Sequence, residues 1–186
     1  MNYLLRTIER DRWLFILDSK NKIPAKTISD LKTDKNGGIS VFEIIEDESN
    51  LEEVILSFLI QRKGIAVFDY VKLDEAELKE LKFDVKTTPG GTKFKEVNKK
   101  HRDIIVETLE DLIILTEYVY SKIEDGVTVE EEDVVNIIQR AIDNAKVDYN
   151  KLHKDIQKKC KPKSTSQSDP VELVIKASPK NKTKDK

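Results

Sequence analysis

The sequence predicts a mixed fold, α/β or α+β: a small three-stranded sheet with short helices, followed by a long antiparallel helical hairpin and a disordered basic tail. Three observations carry that prediction. Short apolar runs alternate with amphipathic stretches over residues 1–93, two helical stripes with matching seams occupy residues 94–160, and the charge changes sign near Gln157. The chain holds 33 Lys+Arg against 35 Asp+Glu, but from Lys158 onward there are nine Lys and three acids, so a body of −8 carries a tail of +6. With 186 residues, one domain of about 150 residues, built from both parts together, and a Lys-rich tail over 161–186 is the natural division.

Residues 13–17, Trp-Leu-Phe-Ile-Leu, read as a strand buried on both faces. Pro24 then opens a short helix through about Leu31, and Asp34, Asn36, Gly37 and Gly38 form a turn. Residues 39–45 read as a second strand. Ser49 and Asn50 can cap a helix with its apolar stripe at Leu51, Val54, Ile55, Phe58 and Leu59. After Gly64, residues 65–71 read as a third strand, and Asp74 caps a helix carrying Leu78 and Leu81. The strand-to-strand connections suit parallel crossovers, with an antiparallel arrangement left open.

Residues 83–92 read as irregular, with a type II turn at Pro89 and Gly90. Beyond it, Ile105, Leu109, Leu112, Thr116, Val119 and Ile123 form one helical seam, and Val135, Ile138, Ile142, Ala145, Tyr149, Leu152 and Ile156 a second. Residues 124–127 supply a short link, and Thr128 with Glu131 a capping box, which together predict the hairpin. In the tail, residues 171–175 make an apolar island between Pro170 and Pro179. Its Val171, Leu173 and Ile175 are candidates for pairing with a sheet edge, this chain's own or a partner's.

The motifs favour no enzyme class. His101, Arg102 and Asp103 match the start of a kinase catalytic loop without the other kinase elements. The segment with Gly90, Gly91 and Lys93, followed by His101, is a weak candidate anion site lacking the Walker spacing. The acids at 130–133 suit the start of a helix better than a cation. One cysteine, Cys160, permits no intramolecular disulfide and no zinc site. No catalytic, cofactor or metal residues are assigned and no cofactor is expected.

No apolar run reaches the length of a membrane span, so a cytoplasmic protein is expected, and the residue usage has a low-GC bacterial bias. Charge asymmetry without a catalytic set points to a non-enzymatic adaptor or regulatory subunit, binding another protein or itself through the hairpin. The alternative is a nucleic-acid-associated protein whose Lys-rich tail binds the phosphate backbone.

Overall fold

The computed structural model describes residues 3–14 and 24–162. Strand β1 (Tyr3–Ile8) is followed by helices α1 (Arg10–Leu14) and α2 (Ala25–Ile28), strand β2 (Gly38–Ile44), helix α3 (Leu51–Leu59), strand β3 (Phe68–Asp74) and helix α4 (Glu75–Glu80). Strand β4 (Val85–Thr87), helix α5 (Lys95–Lys99) and strand β5 (His101–Ile105) come next. Helix α6 (Leu109–Ser121), strand β6 (Val127–Val129), helix α7 (Glu131–Asp143), a 3-10 turn at Tyr149–Lys151 and helix α8 (Lys154–Lys159) complete the order.

The six strands form one sheet in the order β4-β5-β2-β1-β3-β6, and every neighbouring pair is antiparallel. Helices cover both faces. On the front, Leu5, Phe42, Ile44, Phe68 and Tyr70 pack with residues of α3, α5, α7 and α8. On the back, Leu4, Ile39, Val41, Val71, Leu73 and Ile104 pack with Trp13 of α1, Leu78 of α4, and Leu115, Tyr118 and Val119 of α6. Strand alternation is the cause, since successive side chains such as Leu4 and Leu5 enter opposite layers. Asp30 ties down the α1–α2 region by accepting from Trp13 Nε1 at 2.7 Å and from the Glu9 amide at 3.0 Å.

This architecture corrects the expected one. The sheet has six strands, not three, and it is antiparallel rather than crossed over in parallel. Trp13 lies in α1 rather than in a strand, and Phe15 and its neighbours to 23 lie outside the described residues. The first strand is instead Tyr3–Ile8, where Arg6 and Thr7 break the apolar pattern. Arg6 is tolerated because its guanidinium donates to the Ser40 and Asp30 carbonyls, at 2.9 and 2.7 Å.

The helical hairpin is absent. Residues 101–105 form β5, and α6 begins only at Leu109, capped by Thr108 with a capping box to Asp111. β6 begins at Val127, the last residue of the supposed link, so Thr128 pairs in the sheet and Glu130 stands at the N-cap of α7. The second stripe breaks at Ala145, whose φ of 54° ends helical geometry, and resumes only in the 3-10 turn and α8. α6 packs on the back of the sheet and α7 on the front, so the two seams never meet. A period of 3.6 establishes that a helix has an apolar stripe; it does not say whether a helix or a sheet covers it.

Candidate functional site

The front face changes character along the sheet. From β2 to β3 it is apolar and roofed by helices, but at the β4 end it carries Lys86 and Thr88 beside His101 and Asp103 of β5 and Ser40 of β2. The register makes this corner: Asp103 sits opposite both Ser40 and Lys86, while His101 sits opposite Phe42. α5 covers the His101 end through Val97. The other end opens as a cleft of about 500 Å³ lined by Asp34, Gly38, Lys86, Thr88, Asp103 and Glu107, among others.

The polar groups are linked. His101 Nδ1 lies 2.8 Å from Thr88 Oγ1, and its ring meets Phe42 edge-on with centroids 4.9 Å apart. His101 Nε2 is 3.8 Å from Asp103 Oδ1, beyond hydrogen-bond length, and Ser40 Oγ donates to the same oxygen at 3.3 Å. The Asp103 side chain keeps only 9% of its surface in water. Gly38 makes the room for it, because a Cβ there would come 2.9 Å from Asp103 Cγ. Asp34 shapes the rim by accepting from the amides of Gly38 at 2.7 Å and Asn36 at 2.8 Å. Those two donors hold its carboxyl below the ordinary aspartate range, Gly38 contributing most. Chemically, the arrangement is a strand-to-strand polar clasp that satisfies nearly buried groups and lines a cleft.

Outside the clasp the corner is basic. Residues 82–102 hold seven cations, Lys82, Lys86, Lys93, Lys95, Lys99, Lys100 and Arg102, against Asp84 and Glu96, a local charge of +5. The rest of residues 1–157 sums to −13. Arg102 pairs with Glu43, Lys100 reaches the same carboxylate at 3.3 Å, and Lys99 pairs with Glu96. Lys82, Lys93 and Lys95 have no ion-pair partner among the described residues. Lys95 and Lys99 also line an open groove of about 400 Å³ with Thr87, Thr88, Pro89 and Gly90.

β4 is the sheet's edge here. The Thr88 amide donates to the His101 carbonyl and the Ile105 amide to the Asp84 carbonyl, so alternation turns the main-chain groups of Val85 and Thr87 away from β5. Of the residues proposed as an anion site, Gly90 packs on α5, where a Cβ would lie 2.8 Å from Asn98 Cα. Its φ is not positive, so the type II turn expected at Pro89 and Gly90 does not form. Asn98 builds the loop instead, accepting from the Thr92 amide at 2.8 Å and donating to the Thr92 carbonyl at 3.0 Å. Gly91 and Lys93 are exposed on this loop, and His101 is turned into the clasp. Val171, Leu173 and Ile175 lie outside the described residues.

Sequence reasoning weighed Asp103 only as part of a kinase-like run and did not bring Ser40, Lys86, Thr88 and Asp103 together with His101. His101–Ile105 carries no hydrophobic alternation, and its burial does not alternate either, so no local signal marked them as one group. Among the described residues no group of three or more His, Cys, Asp or Glu could hold a metal ion, and no helix is long and apolar enough to cross a membrane. Comparison with protein-family models, curated proteins and solved structures finds no match to this chain.

Proposed function

We propose that the protein is a non-enzymatic adaptor or regulatory subunit that engages an acidic stretch of another protein at its β4 corner. One observation carries the reading: an open edge strand stands in a +5 segment of a body that is otherwise strongly acidic. An extended acidic segment would pair with the outward main chain of Val85 and Thr87 and neutralise Lys82, Lys93 and Lys95. The clasp of Thr88, His101, Asp103 and Ser40 holds the edge in place.

The test is affinity purification from nuclease-treated extract of the native host, wild type against the Lys82→Glu, Lys93→Glu, Lys95→Glu variant. A stoichiometric protein retained by the wild type and lost from the variant supports the reading. A clean monomer, or a partner held equally by both, overturns it. The second reading, nucleic-acid binding, rests on the same unpaired lysines together with the nine Lys from Lys158 onward. It requires DNA or RNA binding that falls steeply with salt and disappears when residues 161–186 are removed.

A further inference from the structure

β6 pairs with β3 on one side and with no strand on the other among the described residues. Val127, 37% exposed, and Val129 lie on the front, while Thr128 faces the back, donating to Asp69 and receiving a bond from Arg10. Six acids bracket the strand with no base among them: Glu124, Asp125, Glu130, Glu131, Glu132 and Asp133. The last three occupy the first turn of α7, where the macrodipole favours them. Glu124 and Asp125 belong to no helix, so that cause does not reach them.

The last described residues run along α7, the helix that follows this edge. Lys159 Nζ lies 3.3 Å from Glu131, Cys160 Sγ lies 3.9 Å from the Val135 carbonyl, and the Lys161 amide donates to Gln139 Oε1 at 3.0 Å. The partners Glu131, Val135 and Gln139 step from the first residue of α7 to its ninth, so the chain passes Glu131, two residues after β6, and travels about 12 Å along the helix before Pro162. From Pro162 to Val171 is nine residues, a reach of about 30 Å when extended.

We propose that residues 171–175 dock on the free edge of β6 of the same molecule, as a seventh strand. Alternation puts Val171, Leu173 and Ile175 on one side, matching Val127 and Val129. Across residues 161–180 the four lysines Lys161, Lys163, Lys176 and Lys180 outnumber Asp169 and Glu172, a net charge of +2 that complements the acids around β6. The β4 edge, in a segment of +5, has the same sign of charge as residues 161–180 taken together. Closing so short a connection adds little entropy cost. The tail's positive charge is then neutralised within the molecule, which leaves β4 as the basic edge open to a partner.

Amide hydrogen exchange on the full chain, read residue by residue by NMR at low salt, tests this. Residues 127–129 and 171–175 should be protected together. Leu173→Asp combined with Ile175→Asp should speed exchange in both segments by at least about tenfold and leave β4 unchanged. Glu124→Lys with Asp125→Lys should act in the same direction through charge alone. Exchange of residues 171–175 at unstructured rates in the wild-type chain overturns the proposal, as does protection that survives both double variants. Light scattering on the same sample should give a monomer; a dimer whose protection falls on dilution overturns docking within one molecule. Reversing Lys82, Lys93 and Lys95 leaves this readout unmoved, so the proposal fails independently of the partner reading at β4.

Discussion

β4 and β6 are both three-residue strands at the two ends of one sheet, but residues 82–102 around β4 carry +5 whereas residues 124–133 around β6 carry six acids and no base. Short length and charge are the ordinary ways to keep an edge from joining another chain's edge. Here each edge repels its own kind and attracts the other sign. The support beneath them also differs. β4 is held by a side-chain clasp on the front, through Thr88 and His101, whereas β6 is held from the back by Arg10, which donates to the Gly126 carbonyl at 3.2 Å and to Thr128 Oγ1 at 3.0 Å. Edge identity therefore lies in the flanking residues and in what braces each strand, since the strands themselves are nearly interchangeable.

The sharpest way to break the contrast is at Gly37, which supports the β4 end only. Its φ is 78°, and a Cβ there would meet the Val106 carbonyl oxygen at 2.6 Å. Gly37→Ala should cost about 2–4 kcal/mol, seen as a lowered urea midpoint, with exchange rising in β4 and β5 before β6. Arg10→Ala should do the converse. Losing two charged hydrogen bonds to the β6 end is expected to cost about 1.5–3 kcal/mol and to fray residues 127–129 while β4 stays protected.

Thr88→Val, which keeps shape but removes the His101 partner, should cost about 1 kcal/mol in the same urea assay and loosen β4 relative to β5. The smallest effect belongs to Asp34. Its folded-state carboxyl is depressed by the Gly38 and Asn36 amides, so its contribution is present above the ordinary aspartate range and is lost as pH falls through the folded value. A urea midpoint followed from neutral to acid pH should drop slightly more steeply for the wild type than for Asp34→Asn.

Local signals were legible in the sequence, and long-range ones were not. Helix α3 occupies Leu51–Leu59 as its stripe predicts, although Asn50 uses its side chain to accept from the Ile45 amide and not to cap the helix. Asp74 does cap α4, accepting from the Ala76 amide at 2.7 Å. The turn at 34–38 forms around Asp34 and Gly37, and β2 follows it. These features depend on residues within a few positions of each other. β4, β5 and β6 do not, since Val-Lys-Thr and Val-Thr-Val become strands only because β5 and β3 present edges to them. The candidate site shared that blindness: Ser40 and Asp103 are 63 residues apart and meet only through strand register.

The placement of β1 bears on how the chain reaches this state. It is the inner strand between β2 and β3, pairing Leu5 with both Phe42 and Lys72, so it is synthesised before either neighbour exists. During translation its Leu4 and Leu5 gain one strand neighbour after about forty residues and the second only after about seventy. Pairings of that span raise contact order, which slows folding and lengthens the interval in which an unpaired apolar strand can be captured by another chain. The strand that centres the finished sheet is therefore the first made and waits for both of its neighbours.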